Sequence, residues 1–338
     1  MSLRSRIASE TAIVLATLAA GLAVGAAVAA GFHAPPLRVM ATMLTSWRSL
    51  PDVVAEYSAM LALTGAAFAV PVYAGLFNIG AEGSFQLGAL VALWAALKWG
   101  GLAAPIALGV AAGALLSGLA GWLRVRLSVN EVLSTIMLNW IVYWLLLYLV
   151  ATKLEDPYNP QRTLEVPRSS RLPWITIGST QIPSTIVIAA AVLAVLWVFL
   201  RMTRWGLALR FAGANEWTSR TRGVNVGLYR VASMAVAGLL AGLAGAIHIL
   251  GYSHAIDVIG GAVKGFGYNG IGVALMGRND PLAIIPAAVL FATLLTGSSL
   301  VEPIYGVPKE AGDFIVGVIV VLLAVPEAFR LLSRLRRR

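Results

Sequence analysis

GLFNIGAEGSFQLGAL, Gly75 to Leu90, lies between two long apolar runs and sets the problem of this chain. Three glycines (Gly75, Gly80, Gly83) fall within nine residues, together with Asn78 and the carboxylate of Glu82. Glycine weakens helices, and a carboxylate in hydrocarbon costs about 2.5–3.5 kcal/mol on insertion scales. Both features are tolerated at membrane depth only where the backbone is buried in protein or lines a cavity. The stretch therefore reads as a broken segment facing the interior of a helix bundle. Glu82 has two readings: it accepts bonds from backbone N–H groups freed by a break, or it touches a solute.

The surrounding composition supports a membrane setting. The 338 residues are 59% hydrophobic and 12% charged, against about 25% charged in ordinary soluble domains. Apolar runs of about 20 residues, enough to cross hydrocarbon, recur along the chain. Read against charged and Pro/Gly-rich breaks they give ten candidate spans, near 11–31, 57–76, 80–99, 103–123, 130–151, 183–201, 229–250, 262–277, 281–300 and 312–332. The fold class is an all-α polytopic membrane protein of about ten transmembrane helices, some broken or re-entrant. The first apolar run is longer than a secretory signal core and reads as a retained span. With the N-terminus inside, most of the 25 basic residues fall on the cytoplasmic side, so the expected topology is N-in/C-in.

That same bias accounts for the net charge of +10 without nucleic acid, and the absence of cysteine removes thiol chemistry and disulfides. No Gly-Lys dipeptide exists, so there is no Walker loop, and no zinc-protease or hydrolase-elbow motif is present. The chain is not expected to be an enzyme or to bind a cofactor or metal. His248, Tyr252, His254 and Asp257 sit near the outer end of a span, where such residues are common at an interface.

Other polar residues have local explanations. Asn130 suits a helix N-cap and Glu131 the first turn beside it; Asn139, four residues after Thr135, suits contact with a neighbouring helix. Gly238, Gly242 and Ala246 recur every four residues, a spacing for close helix packing. The inner segment Arg201 to Arg230 carries six arginines against one acid, Glu216, and is punctuated by Gly213, Asn215 and Gly223. It reads as one or two short helices forming a docking element, or as a plain positive-inside loop. The outer segments 33–56 and 152–182, rich in proline, read as short interfacial helices or rigid loops. A short internal echo links Gly75–Leu90 to GFGYNGIGVALMG, Gly265 to Gly277; interrupted segments in two halves are a transporter pattern.

Four motifs carry a resemblance: FNIGAEG (Phe77 to Gly83), NEVLSTIMLN (Asn130 to Asn139), GANEWTSRTRGVNV (Gly213 to Val226) and GFGYNGIGVALMGRNDPLAI (Gly265 to Ile284). In this order they resemble permease subunits of bacterial ABC importers of the nucleoside and simple-sugar class, related to branched-chain amino acid permeases. The resemblance implies a single transmembrane permease domain over 1–338 in the inner membrane. It implies three partners: a second related permease, an ATP-binding subunit that carries ATP and Mg²⁺, and an extracytoplasmic solute-binding protein. It places the cytoplasmic coupling segment at 204–224, with Arg210, Gly213, Asn215, Glu216, Arg220 and Gly223 as its candidates. Phe77, Asn78, Glu82, Asn130, Glu131, Asn139 and Asn269 are the candidates for the solute pathway or its support. Ser84 stands where the family usually has Gln, and Asn269 where Asp is common. An ion-coupled secondary transporter is the alternative; it needs protonatable groups at the midplane, and only Glu82 clearly qualifies.

Overall fold

A computed structural model describes residues 3–178, 180–257 and 265–324. Thirteen α-helices are described: α1 (Leu3–Gly31), α2 (Pro36–Ser49), α3 (Pro51–Val72), α4 (Ala81–Trp99), α5 (Ala103–Leu127), α6 (Glu131–Thr152), α7 (Thr185–Met202), α8 (Arg204–Ala214), α9 (Glu216–Thr221), α10 (Val226–His248), α11 (Phe266–Met276), α12 (Pro281–Tyr305) and α13 (Lys309–Ala324). Six of these are long and apolar enough to cross a membrane: α3, α5, α6, α7, α10 with the π-helix that continues it to Ser253, and α12. The protein is a multi-pass membrane protein. α5, α6 and α7 turn most of their surface outward and α3 and α10 little of theirs, so the former present apolar faces suited to hydrocarbon.

Several expectations are met only in part. The expected span at 262–277 is an eleven-residue helix, Phe266–Met276, about 16 Å long and too short to cross alone; its first three residues lie outside the described ones, as do 325–332 of the last expected span. α4 has nineteen residues but opens with Glu82, Ser84 and Gln86, and is not among the six. Two small antiparallel hairpins depart from the all-α reading: β1 (Glu155–Asp156) with β2 (Asn159–Thr163), and β3 (Trp174–Ile177) with β4 (Thr180–Pro183). Alternating Thr and Ile around Gly178, at φ +63°, favour the second hairpin. Residues 51–56, expected in an outer loop, are the first turns of α3.

The chain divides into two compact units, Met1–Val54 with Val289–Arg338, and Ala55–Ala288. In the first, α1 packs on α13, where a Cβ on Gly21 would meet Ile319 at 2.9 Å. The Ser46 hydroxyl donates to the Thr293 carbonyl at 2.6 Å, and the Ser298 hydroxyl to the Asp313 carboxylate at 2.7 Å.

The second unit is built on α4, α5 and α10. The small-residue spacing in α10 does what it promised: a Cβ on Gly238 would fall onto the Gly113 carbonyl of α5, one on Gly245 onto the Phe85 carbonyl of α4, and one on Gly88 onto the Gly242 carbonyl. The three helices approach to backbone contact. Beyond α10 the π-helix Ile249–Ser253 leaves carbonyls that the segment between α6 and α7 satisfies: Leu172 N–H donates to Leu250 at 2.8 Å and the Trp174 indole to Gly251 at 3.0 Å. His254 follows at φ +56°; burial, with the charge of Arg171, holds its imidazole below the usual histidine value.

Candidate functional site

The broken stretch begins where α3 ends. Gly75, at φ +74°, turns the chain, and the buried Asn78 closes the turn by accepting the Gly80 N–H at 2.8 Å and donating to the Ala67 carbonyl at 3.3 Å. α4 then starts at Ala81 with Glu82 in its first turn. The Glu82 carboxylate accepts the Gly265 N–H at 2.7 Å on one oxygen and the Gly267 N–H at 2.8 Å on the other. These are orphan donors at the start of α11, so Glu82 caps that helix from another part of the chain. The two echoing segments thus bind each other. Gly267 must be glycine for this, because a Cβ there would land on the backbone of Glu82, 2.7 Å from the Ala81 carbonyl carbon. The Thr64 hydroxyl of α3 fixes α11 from the other side, donating to the Phe266 carbonyl at 2.9 Å.

Asn139 holds the same stretch to α6. Its carbonyl oxygen accepts the Gly83 N–H at 2.9 Å, and its amide nitrogen donates to the Ile79 carbonyl at 3.0 Å and lies 3.4 Å from the Tyr268 hydroxyl. Beside these bonds is a cavity of about 80 Å³, lined by Glu82, Gln86, Asn139, Trp140, Tyr143 and Tyr268. Of the sequence candidates, Glu82 and Asn139 meet here. The others do not. Asn130 caps α6 from its exposed end, Glu131 pairs with Arg124 at 3.1 Å, Phe77 sits edge-on to Phe68, and Asn269 is half-buried in the first turn of α11 off the cavity wall. Gln86, Trp140, Tyr143 and Tyr268 were missed. The signal for Gln86 was its place one turn after Glu82, which puts both on one face of α4.

A second polar cluster lies wholly inside this unit. Glu56 is fully buried; it takes the Thr185 hydroxyl at 2.5 Å and faces His248 Nδ1 at 2.8 Å. His248 was expected at an interface, and it is instead interior, enclosed by the rings of Phe85, Phe266 and Tyr252.

The arginine-rich segment 201–230 is ordered into α8 and α9. Thr203 caps α8 at the Gly206 N–H, 3.1 Å, and Asn215 ends α8 and caps α9 at the Thr218 N–H, 3.0 Å. Glu216 pairs with Arg220 at 2.6 Å and Arg230 at 3.0 Å, while Gly223 turns the chain at φ +77°. Gly213, expected as a breaker, is inside α8; it lies against the Tyr73–Gly75 backbone, where a Cβ would meet Gly75 N at 2.7 Å. Arg210 is in the same helix; burial, with the charge of Asp280, raises the Tyr73 phenol above its ordinary value, and the charges of Arg201 and Arg210 oppose that rise. Tyr73 in turn donates to the Asn279 carbonyl at 2.9 Å, next to the Arg201–Asp280 pair.

Comparison with known proteins gives a consistent picture. The chain is 31% identical over 284 residues to a guanosine ABC transporter permease protein of Bacillus subtilis (strain 168), covering 82% of this chain and 81% of that one. It is 29% identical over 310 residues to a glucose ABC transporter permease protein of Haloferax volcanii (85% and 79%). It is also 29% identical over 296 residues to a nucleoside ABC transporter permease protein of Lactococcus lactis subsp. cremoris (83% and 80%). The family profile described as branched-chain amino acid transport system / permease component matches residues 51–324. The chain belongs to that family of permeases.

Proposed function

We propose that this chain is the transmembrane permease subunit of an ATP-driven importer for nucleosides. It crosses the inner membrane about ten times, N-in/C-in, with the passage through α11 broken, and acts as one permease domain over 1–338. A second permease completes the solute pathway, and an extracytoplasmic binding protein delivers the solute. A separate ATPase subunit carries ATP and Mg²⁺ and docks on 204–224, where Arg210, Gly213, Asn215, Glu216, Arg220 and Gly223 shape the docking element.

The observation that carries this reading is the cavity at the joined segments. Its one carboxylate is engaged by backbone N–H groups of α11 and the Asn139 amide by Gly83 and Ile79, leaving aromatic side chains, among them the exposed Trp140 and Tyr268, as the accessible chemistry. A lining of that kind suits a neutral solute with hydrogen-bonding edges, and two relatives are named for guanosine and nucleoside transport. A simple sugar is the second reading, favoured by the glucose permease among the relatives.

The test is to purify the chain with the products of neighbouring genes and titrate a nucleoside and sugar panel onto the external binding protein. A nucleoside-binding partner with an ATPase supports the reading. A chain that transports alone, driven by an ion gradient, overturns it.

A further inference from the structure

A cavity of about 210 Å³ lies between α8 and α9. One part of its wall is apolar, formed by Phe211, Ala214 and Val224. Arg222 lines it too, with its guanidinium carbon 5.7 Å from the centre of the Phe211 ring, within the range at which a ring face attracts a cation. The other lining residues are Asn215, Thr218 and Ser219. The Asn215 side-chain oxygen accepts the Thr218 N–H at 3.0 Å, and the buried Ser219 hydroxyl donates to the Phe211 and Asn215 carbonyls at 2.7 and 2.8 Å. This leaves the Asn215 side-chain nitrogen, the Thr218 hydroxyl and the Arg222 guanidinium without hydrogen-bond partners among the described residues, all on exposed side chains. Every one of these groups can donate, and one is a cation. No carboxylate neutralises it: Glu216, the one acid between 201 and 230, holds Arg220 at 2.6 Å and Arg230 at 3.0 Å. Trp217, next to Thr218 in α9, is 82% exposed. Tryptophan and arginine are the residue types in which interface energy concentrates.

The geometry points to this cavity as a socket for an acidic side chain of the ATPase subunit, its carboxylate paired with Arg222 and its apolar stem against Phe211 and Val224. The inference rests on the reading that the ATPase docks on 204–224; it gives that contact its sign and adds Phe211, Thr218 and Arg222 to it. A guanidinium holds a carboxylate through two parallel N–H bonds, and the Asn215 and Thr218 donors suit its remaining lone pairs. The cavity exceeds the roughly 150 Å³ that admits benzene, so it has room for a whole side chain, whereas a bare phosphate would leave the apolar wall uncovered. Local bonds hold the socket in shape within this chain: Asn215 caps α9, and Ser219 ties α9 back to the last turn of α8.

The experiment places the chain with its second permease in nanodiscs of phosphatidylcholine, with or without phosphatidylglycerol. The purified ATPase subunit of the same importer is titrated onto them at low and high salt. The chain is wild type, Arg222→Gln, Arg222→Lys or Ala214→Phe, each checked for monodispersity; both positions are exposed, so neither change disturbs the core. Arg222→Gln is expected to weaken ATPase binding about tenfold, as for an anchor residue at an interface, and to flatten its dependence on salt. Arg222→Lys keeps the charge and loses the fork, so its affinity falls between the two. Ala214→Phe fills the socket and weakens binding with the salt dependence retained. Unchanged affinity in Arg222→Gln or in Ala214→Phe overturns the inference and leaves the importer reading standing. A loss in Arg222→Gln seen only with phosphatidylglycerol assigns Arg222 to lipid and overturns it as well. Wild-type nanodiscs that bind no ATPase overturn both.

Discussion

Glu56 and His248, 192 residues apart in sequence, meet at 2.8 Å in the interior, and the remaining Glu56 oxygen holds Thr185 of α7. One carboxylate therefore ties α3, α7 and α10 together. Removing one partner of a buried pair leaves the other charge or dipole uncompensated, at about 3–5 kcal/mol. His248→Ala alone is expected to lower the detergent-solubilised melting temperature, followed by tryptophan fluorescence, more than the double variant Glu56→Gln/His248→Gln does. A double variant as damaging as the summed singles removes the pair as a coupled unit.

Replacing Glu82 separates capping from charge. Glu82→Gln keeps an acceptor for one N–H of α11 and loses the second; Glu82→Leu orphans both Gly265 and Gly267, each at about 1–3 kcal/mol. Uptake and membrane abundance are expected to fall further in the Leu variant. Equal loss in both shows that the charge itself is required.

Gly213 of α8 touches the Tyr73–Gly75 backbone, the turn from which the Asn78–Glu82 stretch departs. Gly213→Val pushes these apart without touching the cavity lined by Glu82 and Asn139. In a reconstituted importer the expected result is ATP hydrolysis retained while uptake per ATP falls several-fold. Hydrolysis and uptake that remain in their wild-type ratio rule out a route through this contact. The absence of cysteine makes the contact accessible to a clean engineered cross-link as well.

The same substitution is expected to have opposite signs at two glycines. In Gly245→Ala the new methyl falls on the Phe85 carbonyl, whereas at Gly118 the nearest atom is the Ala235 Cβ at 3.5 Å. Gly118→Ala should stabilise by about 0.5–1 kcal/mol from backbone entropy, and Gly245→Ala should lower the melting temperature and yield. Equal shifts contradict the backbone contact between α4 and α10.

What could be read from sequence was what the chain decides locally. The Asn130 cap, the two pieces of 204–224 and the glycine ladder of α10 each rest on residues within a few turns. Glu82 was legible as a residue that binds freed N–H groups, but the donors belong to Gly265 and Gly267, which only the fold brings near. Glu56 falls in the segment 33–56 read as short interfacial helices or rigid loops, and the partners that permit its burial, Thr185 and His248, are more than a hundred residues away. The hairpins at 155–183 rest on long-range bonds of the same kind, to Leu250, Gly251 and His254.

The glycine contacts among α4, α5 and α10 also limit how the molecule moves. Sliding one helix past another requires side chains that can change rotamer to take up the displacement, and where carbonyl meets α-carbon there is nothing to adjust. These three helices must travel as one rigid body. In the importer proposed above, displacement of this bundle falls on hinges, and Gly75 and Gly223, both held at positive φ, are where the backbone offers them.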